Sequence, residues 1–216
     1  MGMMITWNNF EWFALSSIIL WGSGAGFALF SKERSRWAIL LTLLGILVFA
    51  VFIAGFWIYL QRPPLRTMGE TRLWYSFFMG VSGLLTYIRW KYPWILCFST
   101  VVGAVFALVN ILKPEIHDQS LMPALQSPWF IPHVTIYMFS YSGCAFILSC
   151  MGLFKRRVNY LEAADKLVYT GLAFLTVGML TGAIWAKAAW GHYWSWDPKE
   201  TWAAVTWTGY LLYVHL

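Results

Sequence analysis

Charged residues are scarce in this sequence: they make up 11% of its 216 residues, against about 25% in a typical soluble domain. Hydrophobic residues make up 60%, where soluble domains have roughly 45–50%. A soluble fold of this size cannot bury so much apolar surface. The composition therefore excludes a soluble enzyme, a disordered chain and a free nucleic-acid-binding domain. It predicts a polytopic protein in the lipid bilayer, with no nucleic-acid partner.

Cysteine motifs and a basic N-terminal stretch are missing as well. Cys97, Cys144 and Cys150 lie within apolar stretches, and the absence of CxxC and CxxCH excludes a zinc ribbon, a thioredoxin-like motif and a covalent haem site. We interpret these cysteines as small buried hydrophobic residues. Residues 1–10 contain no Lys or Arg, so we expect no cleaved signal peptide and interpret the first apolar stretch as a retained anchor.

Seven apolar segments are present, most of them long enough to cross about 30 Å of hydrocarbon at about 1.5 Å per residue. They are Glu11–Phe30, Trp37–Leu60, Leu73–Ile88, Trp94–Leu112, Ile131–Phe154, Leu167–Ala186 and Thr201–Leu216. The third and seventh are short, with 16 residues each. The predicted fold is all-α, a polytopic integral membrane bundle of about seven transmembrane helices with an extracytoplasmic tryptophan-rich loop.

The connecting segments differ in their positive charge. Segments 31–36, 88–93 and 155–166 together hold nine Lys and Arg in 24 residues, whereas the remaining segments hold six in 54. The positive-inside rule places the basic set in the cytoplasm. The N-terminus and the longer loops are then expected outside the membrane.

The densest aromatic cluster is the tryptophan-rich segment, residues 185–207, which holds six of the fifteen tryptophans. One interpretation is an interfacial aromatic belt, as in many membrane proteins. The other is a flat apolar platform for a large planar ligand such as haem, with Lys187 or Lys199 meeting its propionates. Asp197, Pro198 and Glu200 within the segment have the pattern of a capping box and predict a helix start, so the two acids are interpreted as caps rather than acid–base catalysts.

The four histidines are predicted to lie at different depths. His117 is interpreted as a solvated loop residue, His133 lies at the outer start of the fifth segment, and His192 lies in the tryptophan-rich segment. His215 follows Thr201 by 14 residues, which is about 21 Å of helix and places it past the bilayer midplane. It is either a functional residue or a neutral histidine bonded to a neighbouring helix. One iron cannot bind both His133 and His215, so two sites are expected, each short of a second ligand unless His192 or His117 completes the outer one.

The run Trp190-Gly-His-Tyr-Trp-Ser-Trp-Asp-Pro-Lys-Glu-Thr-Trp202 resembles the WWD motif of the haem-handling proteins of cytochrome c biogenesis. With Tyr-Val-His215 after it and Pro123-Ala-Leu-Gln-Ser-Pro-Trp-Phe-Ile-Pro-His133 before it, the sequence resembles the CcsA/ResC branch, system II. The resemblance covers residues 61–216 well, with the WWD loop at 185–207, and only loosely residues 1–60, the N-terminal transmembrane helices.

The resemblance implies a protein that binds haem b non-covalently and presents it at the outer face of a bacterial-type cytoplasmic membrane. There the haem is attached by thioether bonds to an apocytochrome c with a CxxCH motif, by a synthase complex. His133 is implied as an external iron ligand and His215 as an intramembrane one, with a CcsB/ResB-like membrane partner supplying a further histidine. The implied haem-binding residues are His133, His215, Trp190, Trp194, Trp196, Asp197 and Trp202.

The sequence departs from the family pattern at its end, because family members continue through further segments with a second external histidine. We therefore expect a chain truncated at its C-terminus, and His192 is not a family ligand. Two other classes stay open. A small-solute transporter predicts broken helices or midplane charges. A structural subunit of a membrane complex predicts that the tryptophans form a belt without haem.

Overall fold

The structure, a computed structural model, describes residues 5–30, 35–117, 129–130, 133–134, 136–137 and 158–216. The chain divides into two compact units, Met1–Leu121 and Met122–Leu216. The described residues contain helices and no strand, which confirms the all-α prediction.

Six α-helices and one short 3-10 helix have defined bounds in this part of the chain. They are α1 (Trp7–Phe30), α2 (Arg36–Leu60), α3 (Met68–Trp90), α4 (Pro93–Leu112), the 3-10 helix Pro114–Ile116, α5 (Val158–Trp190) and α6 (Pro198–His215). The fifth predicted segment, Ile131–Phe154, lies largely outside the described residues. The predicted boundary between an N-terminal region, 1–60, and a second region, 61–216, stays a prediction.

Four helices among the described residues are long and apolar enough to span a membrane: α1, α2, α4 and the part Asp165–Trp190 of α5. Helix α3 has sufficient length at 23 residues, but it carries Glu70, Arg72 and Arg89. Helix α6 has 18 residues and a mixed sequence rich in tryptophan, threonine and tyrosine. The chain is therefore an integral membrane protein, and the count of seven spans stays a prediction.

Trp21 of α1, which is 1% exposed, packs where helices α1–α4 of the first unit meet. Its ring lies against glycines of three other helices, Gly45 of α2, Gly80 of α3 and Gly103 of α4. Within a membrane, small residues of this kind let helices approach closely, and the gain comes from packing rather than from exclusion of water. Trp21 thereby joins α1 to the other three helices.

The connection between α2 and α3 is shorter than predicted, because α3 begins at Met68 and not near Leu73. Thr67 and Glu70 form a capping box there. Glu70 is 2% exposed and also forms a two-pronged ion pair with Arg62, at 2.8 and 2.9 Å. The carboxylate therefore starts α3 and holds the preceding connection at the same time.

The second unit contains a helical hairpin of α5 and α6. Trp207 Nε1 of α6 donates to Thr176 Oγ1 of α5 at 2.9 Å, and the Tyr213 hydroxyl donates to Asp165. Later residues of α6 thus meet earlier residues of α5, so the two helices run antiparallel. Helix α5 extends beyond both predicted ends: it begins at Val158, within the predicted basic loop, and reaches Trp190.

Candidate functional site

The hairpin tip, residues 191–197, is half as long as the predicted loop 187–200, because α5 continues to Trp190 and α6 begins at Pro198. Gly191 ends α5 with φ of +86°, a left-handed conformation that glycine adopts without a steric penalty. The Lys187 ammonium donates to the Gly191 carbonyl at 2.7 Å and lies 5.4 Å from the centre of the Tyr193 ring. A positive charge is therefore fixed at the start of the tip.

The start of α6 confirms the predicted capping box. Asp197 Oδ1 accepts a hydrogen bond from the Glu200 amide at 2.8 Å, and Pro198 occupies the first helical turn. Glu200 Oε2 accepts in return from the Asp197 amide at 3.3 Å. The two acids thus satisfy backbone groups at the helix start, which is the role predicted for them.

Trp194 and Trp196 form an edge-to-face pair at the tip, with ring centres 5.7 Å apart and planes at 84°. Trp185 and Trp190 meet at 80°. Neither pair is coplanar, so these rings do not form the flat surface that one of the two interpretations requires. Edge-to-face contact is a favoured arrangement of neighbouring rings. The surface they form has facets at right angles.

These tryptophans remain accessible although they contact one another. Trp190, Trp196 and Trp202 are 52%, 69% and 69% exposed. Trp194 is half-buried, and its Nε1 is buried without a hydrogen-bond partner in the described part of the chain. The region therefore offers large apolar ring faces to a ligand, and the Trp194 donor lies beneath them.

His133 lies against α5, along the stretch from Gly178 to Trp185. Its Nδ1 is 2.9 Å from the Gly178 carbonyl oxygen, and its ring stacks on Trp185 at 5.8 Å between centres and 10° between planes. A carbonyl oxygen only accepts hydrogen bonds, so this contact places the proton on Nδ1 and the lone pair on Nε2. That is the tautomer in which Nε2 can ligate a metal.

His215 is the last residue of α6 and is exposed. Its Nδ1 lies 2.8 Å from the Leu211 carbonyl oxygen, one turn earlier in the helix, so its lone pair is also on Nε2. The helix is unbroken from Pro198, which confirms about 21 Å of rise between Thr201 and His215. His133 lies near Trp185, whereas the α6 end carrying His215 pairs with Asp165, about 20 residues earlier and roughly 30 Å along α5.

The prediction that His117 is a solvated loop residue is wrong. It is half-buried in the first unit, and its ring stacks on Trp7 at 3.8 Å and 5°. Its Nε2 donates to the Asn110 carbonyl at 3.0 Å, a contact made possible by the 3-10 turn that folds the chain back after α4. His192 is exposed in the hairpin tip. Among the described residues, no group of three or more His, Cys, Asp or Glu side chains is arranged to hold a metal ion.

Sequence reasoning missed the two glycines that make room for this site, Gly178 and Gly182. They face the rings of Tyr137 and His133 respectively. Their spacing of four residues in an apolar helix is a visible signal of close approach between membrane helices. The sequence does not reveal which side chain fills the space, because that contact joins distant parts of the chain.

Comparisons with known proteins point to one family. The profile of the family described as cytochrome c assembly protein matches residues 12–216. The cytochrome c biogenesis protein CcsA of Panax ginseng is 30% identical over an alignment of 240 positions, which covers 86% of this chain and 73% of that protein. The protein of that name from Pelargonium hortorum is 31% identical, with 80% and 72% covered. The one from Chlamydomonas reinhardtii is 41% identical, with 51% and 35% covered.

The long apolar helices and the aromatic helical hairpin define an all-α integral membrane protein with a candidate site around the hairpin tip. The chain belongs to the cytochrome c assembly protein family, as the resemblance predicted. Its role is accordingly in cytochrome c biogenesis.

Proposed function

We propose that this chain binds haem b non-covalently and presents it at the outer membrane face for thioether attachment to an apocytochrome c. The observation that carries the proposal is the shared state of His133 and His215. Each imidazole donates from Nδ1 to a helix carbonyl and keeps the lone pair of Nε2 for a ligand. Hydrogen bonding of the second ring nitrogen is a regular feature of metal-binding histidines.

The residues around the tip are chemically suited to haem. Trp190, Trp194, Trp196 and Trp202 offer apolar area for the macrocycle, and Asp197 fixes the chain leaving the tip. The Lys187 ammonium has three donors and spends one on Gly191, so it retains donors for a propionate. Bound haem supplies an iron and vinyl groups that react with the thiols of a CxxCH segment.

The protein's own contribution is positioning rather than covalent catalysis. His133 ligates from the tip end of the hairpin, and the tryptophans orient and shield the bound group. Holding two reactants in place removes much of the entropic barrier to their reaction. His215 ligates at the far end of α6, within the membrane, where a CcsB/ResB-like partner supplies the second ligand. In this arrangement the hairpin tip and the N-terminus face outward from a bacterial-type cytoplasmic membrane, in agreement with the basic segments inside.

The test is a visible spectrum of the detergent-purified chain, oxidised and reduced, for the wild type, His133→Ala and His215→Ala. Thr170→Ala is the control, because Thr170 is exposed in the same hairpin and bonds to Lys166 within its own helix. His192→Ala is measured beside it, because His192 is a candidate for the second outer ligand. We expect a haem Soret band that is weakened by one or both ligand substitutions and unchanged in the control. A wild-type chain that retains no haem, alone or after titration with haemin, contradicts the proposal and favours a structural subunit with an aromatic belt.

A further inference from the structure

We propose that Glu200 is a positioning residue, which orients Trp196 for the haem contact; this inference rests on the proposed function. Three donors converge on one oxygen of Glu200. Oε2 accepts from the Ser195 amide at 2.7 Å, the Ser195 hydroxyl at 3.3 Å and the Asp197 amide at 3.3 Å. The amides on both sides of Trp196 are thus fastened to one carboxylate.

The backbone between these two amides is strained. Trp196 has φ of +59°, in the left-handed region that side chains other than glycine and asparagine rarely occupy. Such a conformation persists only where the surroundings hold it. Glu200 stabilises it by accepting hydrogen bonds from the amides of Ser195 and Asp197, on either side of Trp196. The Thr201 hydroxyl donates a further hydrogen bond to the Trp196 carbonyl at 3.2 Å.

Helix capping alone does not account for this arrangement. A capping box requires only the bonds between Asp197 and Glu200. The bonds to Ser195 lie outside the box and act on the residue before Trp196. At the other capping box, Glu70 accepts from Arg66 and Thr67, and neither of these residues is left-handed. Of these two capping boxes, only the one at α6 holds a left-handed residue between the amides that bind its glutamate, and that residue is Trp196.

The result is an exposed indole with a fixed direction. Trp196 is 69% exposed and would otherwise turn freely, yet it stands edge-to-face on Trp194 at 84°. An apolar surface that is ordered before binding loses less conformational entropy when the ligand arrives. Glu200 thus acts on haem affinity through Trp196 without contacting the ligand.

The experiment measures ring geometry and haem affinity separately. The haem-free chain in detergent is examined by far-ultraviolet circular dichroism, and the couplet of the Trp194–Trp196 pair is defined as the difference between wild type and Trp196→Phe. Haemin affinity is then measured by quenching of tryptophan fluorescence. The variants are Glu200→Ala and Glu200→Gln, and Glu115→Gln, an exposed acid of the first unit, is the control for loss of one negative charge.

We expect Glu200→Ala to lose the couplet and to bind haemin roughly tenfold more weakly, as for the loss of one charge-assisted hydrogen bond. Glu200→Gln keeps an acceptor oxygen and should lie between Ala and wild type, which also covers the case in which the alanine variant does not fold. An intact couplet in both variants, or a lost couplet with unchanged haemin affinity, overturns the inference. A wild type that does not bind haemin overturns the proposed function instead, while the couplet still reports whether Glu200 orients Trp196.

Discussion

The imidazole of His133 occupies the space that a side chain at Gly182 would fill. A Cβ at this glycine would lie 2.6 Å from Cε1 and 2.8 Å from Nδ1 of His133. The ring is also fixed on two other sides, by the Gly178 carbonyl and by the face of Trp185. The glycine therefore determines where the predicted ligand atom lies, although it has no side chain of its own.

Replacing this glycine should displace the histidine. We expect Gly182→Ala to break the contact between His133 and the Gly178 carbonyl and to destabilise the second unit by about 1–3 kcal/mol, as overpacking does. Haemin retention should fall with it if His133 is a ligand. The measurements are a thermal unfolding curve in detergent and a haemin titration.

The matched control is Gly209→Ala in α6, where nothing lies within 4 Å of the added Cβ. This change should be neutral or slightly stabilising, because alanine favours a helix over glycine by roughly 1 kcal/mol. Equal behaviour of the two variants would contradict the steric account of the His133 position.

The hydrogen bond between Trp207 of α6 and Thr176 of α5 leads to a second prediction. We expect Thr176→Val to lower the free energy of unfolding by about 1–2 kcal/mol, because it removes the acceptor of Trp207 Nε1 and leaves a half-buried indole donor unpaired. Thermal unfolding in detergent measures the effect. Thr170→Val is the control, since Thr170 bonds only to Lys166 within its own helix. A comparable loss in the control would show that the effect belongs to the helix and not to the hairpin contact.

Sequence patterns predicted the structure correctly where that structure depends on residues close together in the chain. Asp197, Pro198 and Glu200 predict a helix start, and the structure has it at that position. The charge pattern was a poorer guide to helix ends, because α5 begins at Val158 within the predicted loop. Charged residues mark where a helix leaves the membrane, but Glu, Lys and Ala continue a helix well beyond that point.

Contacts between distant residues were not predictable from the sequence. His117 was expected in solvent, and only the fold brings it onto Trp7, from the opposite end of the first unit's sequence. The strained backbone of Trp196 was missed for a related reason. No residue preference favours tryptophan in the left-handed region, and the conformation depends on bonds made by Glu200.

A third prediction concerns the packing around Trp21. A Cβ at Gly45 would lie 2.7 Å from both Cδ1 and Nε1 of the indole, which is fully buried and has no room to withdraw. We expect Gly45→Ala to destabilise the first unit by about 1–3 kcal/mol. Gly26→Ala of α1 is the control, because its added Cβ meets nothing within 4 Å. Unfolding curves that coincide for the two variants would count against Trp21 as the centre of this unit.

The ion pair of Arg62 and Glu70 gives the last prediction. Arg62→Gln removes the guanidinium that bridges both oxygens of a carboxylate that is only 2% exposed. We expect a loss of roughly 3 kcal/mol of unfolding free energy, because breaking one side of a buried pair leaves the other charge without its counter-charge. The backbone amides of Arg66 and Thr67 still bond to Glu70, so the start of α3 should persist. Arg66→Gln serves as the comparison, since this exposed residue bonds to Glu70 through its amide only and should unfold like wild type. Equal losses of unfolding free energy in the two arginine variants would mean that the loss comes from the change in net charge and not from breaking the ion pair.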